Sequence, residues 1–422
     1  MKRIVLLIFT VFLSYSVSSQ KTSSIPTITT EYIKKHTSYF TIVDGKIKGE
    51  GRNVIKDMIN QSQFVTYGEL HNSKQTSIFI KALMPFLKKA GFENFAIEVG
   101  PTSAKKLAEL STPPSKTIEN LKAFNTKYTL SEGNRTVEPI PFFTGISDAE
   151  FLQEARSNNM QFWGLDQEFY FATFFLIDEL MNTVKDASKV SELTPLKNQA
   201  NQMMYKHFLD EVQKKNKGAY TLIIKEQAVN DFFDAFPKNN EAAQNIINDM
   251  KISWDIYIRW RNDSHADRIS YMRNNFMKHY TEAQKKEKLP KVFTKIGSLH
   301  ASKIISNGAF DIGNLTEELA QRNGTMSTTI SSVIPYKKTE KGLVNNLERF
   351  KQSYQRYAIM TSLVKKDEWG IINLRQIRED IQRGKIVLPT NGDYHKLKQL
   401  ILGYDYQIMI PVDEAIIPNR DN

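Results

Sequence analysis

The sequence Phe64-Val65-Thr66-Tyr67-Gly68-Glu69-Leu70-His71 predicts how this chain folds, and it has a counterpart in Val292-Phe293-Thr294-Lys295-Ile296-Gly297-Ser298-Leu299-His300. Each is a short, mostly apolar run, typical of a buried strand, followed by Gly-x-x-His. A glycine at the end of a strand lets the backbone turn sharply. In open α/β sheets, ligands bind at the carboxyl edge of the strands. We therefore expect two of the seven histidines to meet at one edge of a sheet.

The residues after the first run predict a β-α-β unit. Ser73 is a suitable N-cap for a helix over about residues 74–90, which has apolar residues on one face, and Gly91 is suited to end it. The next strand is predicted at Phe95-Ala96-Ile97 and ends in Glu98. Strands joined through a helix run parallel, so the sequence favours a parallel sheet.

The rest of the chain continues this α/β pattern around a long helical stretch. A strand is predicted at residues 160–163, and further strands at 327–334, 369–374 and 406–410. Residues 170–287 contain too much predicted helix for one crossover. The predicted organisation begins with a signal peptide (1–19) and an N-terminal lead-in (20–59), of which residues 20–45 are expected to be loose. A first part of the core (60–168), a helical insertion (169–289) and a second part of the core (290–415), which contains a polar helical linker (336–365), follow before a tail (416–422). The predicted fold class is α/β, with a mostly parallel central sheet flanked by helices.

The first residues have the features of an export signal. Lys2 and Arg3 precede an apolar segment, residues 4–12, that is too short for an ordinary membrane span, and Val17-Ser18-Ser19 offers small residues for cleavage. We expect an exported protein, periplasmic in a Gram-negative cell, with no transmembrane span after cleavage; an uncleaved N-terminal anchor is the alternative. The absence of cysteine excludes disulfides and thiolate metal sites.

The charge of the chain points to small-molecule chemistry. The formal net charge is +11, and it becomes +9 once Lys2 and Arg3 leave with the signal peptide. The lysines are spread along helices, and no nucleic-acid-binding motif is present, so we expect no nucleic-acid partner. The charge favours an anionic small-molecule substrate or the envelope surface. The sequence does not indicate an oligomeric state.

Three residues at the ends of the first two strands are candidates for chemistry. His71 can act as a general base or as a metal ligand, and Glu69 could orient it or share the metal. Alternatively, Glu69 only interacts with a helix dipole. Glu98 follows an apolar strand, where a carboxylate is costly unless it is paired or functional. It is a candidate acid, base or metal ligand, or else the structural partner of an arginine.

Further candidates lie on later elements. Asp166 follows the third strand, as does Glu168, and His300 follows the counterpart run; a core or helix-capping histidine is the alternative for His300. Arg261 and His265 share one helix face with Arg268, because they are four and seven residues apart. Arginine can bind a carboxylate or stabilise an oxyanion, although such a face is commonly only solvated.

Taken together, these residues resemble the superfamily that joins erythromycin esterase-like proteins, ChaN-type haem-binding lipoproteins and Tiki/TraB proteins. The resemblance covers about residues 60–415 and is closest overall to the erythromycin esterase-like proteins. It rests on motifs in the expected order: Gly68-Glu69-Leu70-His71, Ala96-Ile97-Glu98, Gly164-Leu165-Asp166-Gln167, Arg261-Asn262, Gly297-Ser298-Leu299-His300, Ile312-Gly313-Asn314-Leu315, Asn373-Leu374-Arg375 and Gly403-Tyr404-Asp405-Tyr406.

The resemblance implies a cleft at the carboxyl edge of a parallel sheet. In the esterase branch His71 would activate water for ester hydrolysis without a metal, supported by Glu69 and Glu98, and Arg261 and His300 would bind substrate or stabilise charge. We expect Asp166 and His265 to contribute to substrate binding. No Gly-x-Ser-x-Gly elbow is present, so a serine nucleophile is not indicated.

Three departures from the esterase pattern keep other functions open. The first motif is one residue shorter, as in the ChaN and Tiki groups; Gly297 stands where an additional histidine is usual; and His265 replaces a methionine. The expected cofactor is none. One alternative is a Tiki-like metal-dependent peptidase or hydrolase, with His71, His300, Glu69 and Glu98 as ligands. The other is a ChaN-like haem- or iron-binding protein with a histidine or tyrosine ligand.

Overall fold

The computed structural model describes residues 25–132, 135–260, 264–389 and 394–421. The predicted signal peptide, residues 1–19, and the predicted substrate-binding residue Arg261 lie outside these ranges. Within them, no helix has both the length and the apolar composition needed to cross a membrane.

A single large sheet dominates the described part of the chain. Its nine strands lie in the order β2 (Lys46–Lys48), β1 (Thr37–Val43), β12 (Trp369–Asn373), β13 (Tyr406–Met409), β9 (Ser327–Val333), β3 (Phe64–Glu69), β8 (Val292–Gly297), β4 (Asn94–Ile97) and β7 (Gln161–Gly164). The strands from β13 to β7 are parallel, whereas β2, β1 and β12 pair antiparallel. The predicted α/β class with a mostly parallel central sheet is confirmed.

Helices flank the sheet. They are α1 (Thr30–Lys34), α2 (Gly51–Gln61), α3 (Lys74–Lys89), α4 (Pro101–Leu110), α5 (Thr117–Tyr128), α6 (Ile146–Ser157), α7 (Thr173–Asn182), α8 (Ala187–Val212), α9 (Ala219–Ile223), α10 (Gln227–Asp234), α11 (Glu241–Ile258), α12 (His265–Gln284), α13 (Ile312–Asn323), α14 (Asn346–Arg349), α15 (Lys351–Tyr354), α16 (Leu374–Gln382) and α17 (Tyr394–Gly403). Helices α7 to α12 lie in sequence between β7 and β8, where the sequence predicts a helical insertion.

The first β-α-β unit forms for the local reasons that the sequence offers. The hydroxyl of Ser73 accepts a hydrogen bond from the backbone N–H of Thr76 at 3.0 Å and caps α3. Gly91 then takes a left-handed conformation, with φ +82°, which ends the helix. In the sheet, Glu69 of β3 is paired in register with Gly297 of β8. The carboxyl ends of these strands therefore meet at one edge.

Packing on both faces holds that edge in place. Val65 and Tyr67 of β3 point into one buried cluster, whereas Phe64, on the opposite face of the same strand, belongs to a second cluster with Phe276 of α12. Burying one such aromatic or aliphatic side chain contributes about 1.5–3 kcal/mol to folding. Because helices cover both faces, the strand ends cannot easily shift relative to one another.

One local prediction is wrong and another is right only in part. Residues 20–45 are predicted to be loose, yet residues 37–43 form β1, whose Tyr39 pairs with Gly370 of β12 in the main sheet. Residues 336–365 are predicted to be a helical linker. They begin instead with a hairpin of β10 (Tyr336–Thr339) and β11 (Gly342–Asn345), and the helical part follows in α14, α15 and a 3₁₀ helix, Gln355–Leu363. A further small pair joins β5 (Leu130–Glu132) and β6 (Arg135–Val137).

Candidate functional site

The candidate site lies at the carboxyl edge, where β3, β8 and β4 end side by side. Glu69 is the last residue of β3, Glu98 directly follows β4, and His300 lies in a short 3₁₀ turn after β8. All three side chains are buried, while the side chain of His71, just beyond β3, is 34% exposed. A molecule in solution would therefore reach the site at His71.

One histidine–carboxylate pair comes from β3. Nδ1 of His71 lies 3.1 Å from Oε1 of Glu69, and the same oxygen accepts a hydrogen bond from Nζ of Lys295 at 2.6 Å. The Glu69 and Lys295 side chains are each only 4% exposed, so this ion pair is almost removed from water. The N–H at Nδ1 can donate a hydrogen bond to Glu69. In that tautomer Nε2 of His71 carries no proton and can accept one.

A second pair comes from β8. Nδ1 of His300 lies 2.6 Å from Oδ2 of Asp311, and this aspartate also caps α13, because its Oδ1 accepts from the N–H of Ile312 at 2.7 Å. The imidazole of His300 is thus oriented in the same way as that of His71, by a carboxylate at Nδ1.

The Glu98 carboxylate lies between the two imidazoles. Its Oε2 is 3.8 Å from Nε2 of His71, and its Oε1 is 3.5 Å from Nε2 of His300. Arg268 donates to Oε1 at 3.0 Å, and the backbone N–H of Gly297 donates to Oε2. Both histidines therefore direct their second nitrogen toward one carboxylate that an arginine and a backbone amide already hold in place.

The glycine of the second motif is required by close approach. A Cβ at Gly297 would lie 3.0 Å from Nε2 of His71 and 3.1 Å from Oε2 of Glu98. The φ of Gly297 is −53°, which any residue can adopt. The sequence argument that these glycines serve a sharp turn is therefore wrong for Gly297: the missing side chain leaves room for the site.

Arg268 connects the site to the end of β7. Its Nε and Nη2 donate to the two carboxylate oxygens of Asp166, at 2.9 and 2.5 Å, while Nη2 also reaches Glu98. Asp166, which the sequence predicts to bind substrate, accepts both of these hydrogen bonds and so orients the arginine. Helix α12 begins at His265, and of the residues predicted to share one helix face it places Arg268 in the site.

Opposite charges shift the pKa values of the central groups. Burial would raise the pKa of Glu69, but Lys295 and His71 hold it below its ordinary value. Burial also opposes the ionised form of Glu98, but His300, His71, Arg268 and the Gly297 amide lower its pKa.

The histidine pKa values move in the other direction. Burial would lower the pKa of His71, but the hydrogen bond and charge of Glu69, together with Glu98, raise it. The pKa of His300 is likewise raised, because Asp311 and Glu98 outweigh burial. Both imidazoles are therefore stronger bases than histidine in water.

Aromatic rings form the wall around the first pair. The ring of Phe142 stacks on His71, with 3.8 Å between ring centroids and 12° between planes. Phe142 has a φ of +66°, a conformation that is strained for a bulky residue and is characteristic of functional sites. Nζ of Lys295 lies 5.3 Å from the centroid of Phe143 and 5.7 Å from that of Phe151. These rings exclude water from the Glu69–Lys295 ion pair.

A buried carboxyl group lies behind this wall. Asp148 of α6 accepts hydrogen bonds from the hydroxyl of Ser77 and from the N–H of Gly145. Burial raises the pKa of Asp148 to about 6, although Ser77 and Lys295 oppose the rise.

The structure brings together His71, Glu69, Glu98 and His300, as the sequence predicts, and it adds residues that sequence reasoning missed. Those additions are Lys295, Asp311 and Phe142, together with Arg268, to which the sequence analysis assigns no role in the site. Arg261 lies outside the described residues. The roles of all these residues stay predictions.

Two further candidates do not join the group. Nε2 of His265 is buried without a hydrogen-bond partner among the described residues, and His265 has no described contact with the four central side chains. Glu168 accepts hydrogen bonds from the N–H groups of Thr102 and Ser103 and so holds the start of α4.

The donor set does not fit a metal ion as it is arranged. Glu69 is neutralised by Lys295 and Glu98 by Arg268, so a divalent cation would have to displace two ion-paired cations. In the described ranges, no cluster of three or more histidine, aspartate or glutamate side chains is placed to hold a metal. The carboxylates of the site are therefore arranged for ion pairs with Lys295 and Arg268 and not for a metal ion. The expectation of no cofactor and the haem alternative stay predictions.

Comparison with known proteins places the fold. No family model and no curated protein matches the sequence. A Bacillus cereus protein of solved structure covers 92% of this chain and 97% of its own at 13% identity, with a TM-score of 0.52. A succinoglycan biosynthesis protein gives the same coverage and identity, with a TM-score of 0.50. An erythromycin esterase mutant in its open conformation covers 89% of this chain and 97% of its own at 13% identity, with a TM-score of 0.49.

These likenesses concern the fold alone. The two structures with TM-scores of 0.52 and 0.50 each extend over 92% of this chain. At 13% identity they transfer no activity and no substrate to this chain.

Proposed function

We propose that this protein hydrolyses an ester or related acyl bond, with His71 as the general base that activates water. The observation that carries the proposal is the convergence of two oriented imidazoles on Glu98. Each has a carboxylate at Nδ1, each directs Nε2 into the same small space, and the His71 side is open to solvent.

The separation between His71 and Glu98 suits one activated water. Nε2 of His71 and Oε2 of Glu98 are 3.8 Å apart, a gap that a single water can bridge with one hydrogen bond to each. Nε2 takes one proton as the water oxygen adds to the carbonyl carbon, and Glu98 holds the other. The Lys295-paired Glu69 stabilises the imidazolium that forms.

His300 supplies the complementary function. Its raised pKa favours the imidazolium, whose Nε2–H can donate to the oxyanion of the tetrahedral intermediate. When the intermediate collapses, the bond to the leaving oxygen breaks and the proton held on His71 passes to that oxygen. The products are a carboxylic acid and an alcohol, with no redox change.

Elemental analysis and an ester screen test this proposal together. Purified protein is analysed for Zn, Mn, Co and Fe, and it is assayed on ester and lactone substrates of increasing acyl length. We expect turnover without stoichiometric metal, and a loss of about 10²–10⁴-fold in kcat for His71→Ala. His36→Gln is the matched control, since His36 contacts only the ring of Tyr32 among aromatic partners.

Two results would overturn the proposal. The first is stoichiometric metal that is lost in a His71→Ala, His300→Ala double variant. The second is a folded wild type that hydrolyses none of the esters.

Export is proposed from the sequence of residues 1–19. N-terminal sequencing of the protein from cell fractions checks it: a mature chain starting near Gln20 in the periplasmic fraction is expected. Full-length protein in the cytoplasm would contradict export.

A further inference from the structure

A cavity of about 610 Å³ lies at the other end of the sheet, beside its terminal strand β2. Its apolar lining comes from Ile47 of β2 and from Ala82, Pro85 and Phe86 of α3. Ile47 and Ala82 are almost fully buried, so they form a floor, while Phe86 is half-buried. The volume is within the usual range for small-molecule sites, which are mostly apolar with a few polar groups.

Every charged residue that lines this cavity is a cation. Lys46, Lys48, Arg52 and Lys89 line it, and no carboxylate does. All four are exposed, and within the described residues none forms an ion pair. The guanidinium carbon of Arg52 lies 5.5 Å from the centroid of Phe86, so one cation sits directly over the apolar lining. The chain thus places four unpaired positive charges around one apolar hollow.

We propose that this cavity binds a long-chain fatty acid or a similar single-chain carboxylate. The apolar floor recognises an alkyl chain, and the rim recognises the negative head group. Arginine suits the head group because its planar guanidinium can bind both oxygens of a carboxylate. An inorganic anion would make no contact with the apolar floor, and a neutral alkyl chain would pair with none of the four cations. A hollow of this volume accommodates one chain, whereas a bilayer surface would need a flat face.

Titration calorimetry with the full chain tests the proposal, using decanoate, dodecanoate, dodecanol and inorganic phosphate below micellar concentrations. We expect saturable binding of one dodecanoate per chain. Decanoate should bind more weakly, by up to about fourfold per methylene removed, since each buried CH₂ contributes about 0.8 kcal/mol. Dodecanol should bind at least about tenfold more weakly than dodecanoate, and phosphate should not bind.

Variants locate the binding site. Arg52→Gln with Lys89→Gln should weaken dodecanoate binding by about tenfold or more. Lys238→Gln with Lys341→Gln removes two exposed lysines elsewhere and should leave binding unchanged. His71→Ala should also bind dodecanoate normally, because no residue of the candidate functional site lines this cavity. Thermal melting of each variant checks that the fold is intact.

Four results would overturn the proposal. They are no saturable dodecanoate binding by folded wild type, equal binding of dodecanol and dodecanoate, equal effects of the rim and control variants, and binding only to phosphatidylglycerol vesicles. The last result would assign the four cations to a membrane surface instead of a single chain.

Discussion

The two Gly-x-x-His motifs are alike in sequence and different in their surroundings. His71 is paired with Glu69, two residues before it, and its side chain is 34% exposed. His300 is paired with Asp311, eleven residues after it, and its side chain is 10% exposed. Each motif places an imidazole at the carboxyl edge of the sheet. The two imidazoles differ in their exposure to solvent and in the position along the chain of the carboxylate that pairs with Nδ1. We infer that His71 contacts the attacking water, whereas His300 contacts the negative charge that develops on the oxyanion of the tetrahedral intermediate.

The strongest test of this difference is rescue by a small base. His71→Ala and His300→Ala should each lower kcat, by about 10²–10⁴-fold for the loss of a general base and about 10²–10³-fold for the loss of an oxyanion donor. Added imidazole should restore activity to His71→Ala alone, because only that position is open to solvent. Equal rescue of both variants would remove the proposed distinction.

The Glu69–Lys295 ion pair gives the largest expected effect on stability. Lys295→Met leaves a buried carboxylate without its cation, and such a loss costs about 3–5 kcal/mol of unfolding free energy. Lys295→Met with Glu69→Gln should be clearly more stable than Lys295→Met alone. Urea unfolding of both variants and of Glu69→Gln measures the free energies of unfolding. If the losses caused by Lys295→Met and by Glu69→Gln add up to the loss in the double variant, the two side chains are not coupled.

The pH dependence of unfolding separates the carboxylates from the histidines. The folded pKa of Glu69 and of Glu98 is below the ordinary 4.5, so their contribution is present above pH 4.5 and is lost as pH falls through the folded values. The folded pKa of His71 and of His300 is above the ordinary 6.5, so their contribution is present below pH 6.5 and is lost as pH rises through the folded values. Urea midpoints across pH 3–9 measure both limbs. His300→Gln should flatten the alkaline limb, and it should also reduce the contribution of Glu98 to the acid limb, because His300 helps to lower the pKa of Glu98.

Asp311→Asn sharpens the comparison without removing the helix cap. Asparagine caps helices as well as aspartate does, so α13 should keep its start. The pKa of His300 should fall, because one of the two carboxylates that raise it has lost its charge, while that of His71 should stay unchanged. NMR titration of the two imidazoles measures both values; a parallel shift of the two would show that they titrate as one unit.

The smallest effect is expected at the aromatic wall. Phe142→Leu keeps an apolar side chain but removes the ring stacked on His71, an interaction that contributes about 0.5–1.5 kcal/mol beyond its buried area. We expect a loss of about tenfold or less in kcat/KM. Phe143→Leu is the matched control, since Phe143 contacts Lys295 instead of His71. A larger loss in the control would place the functional contact at the ion pair.

The residues that the sequence predicted share one property. His71, Glu69, Glu98 and His300 all stand at or just after the end of an apolar strand, and parallel strands bring their ends together whatever the loops do. The sheet itself could therefore be predicted from short apolar runs and caps such as Ser73.

The missed residues depend on tertiary structure. Lys295 sits inside β8, where it suggests no role until the carboxylate of Glu69, on the neighbouring strand β3, is placed 2.6 Å from its Nζ. Asp311 carries only the signal of a helix cap. The sequence predicts Arg268 on one helix face with Arg261, but it does not show whether that face points toward the site. Strand β1 pairs with the nearby β2 through a turn at Asp44-Gly45, a local hairpin signal that the sequence analysis did not use, and with β12, which is more than 300 residues away.

The strand order itself sets the dimensions of the proposed site. Strand β8 lies between β3 and β4, and neighbouring strands are about 4.8 Å apart, so His71 and Glu98 come from strands roughly twice that distance apart. Their side chains lean toward each other across the middle strand, over Gly297, which carries no side chain. The separation of base and carboxylate is therefore a property of main-chain hydrogen bonding in the sheet. Even alanine at residue 297 would insert a methyl group where both reacting groups must meet.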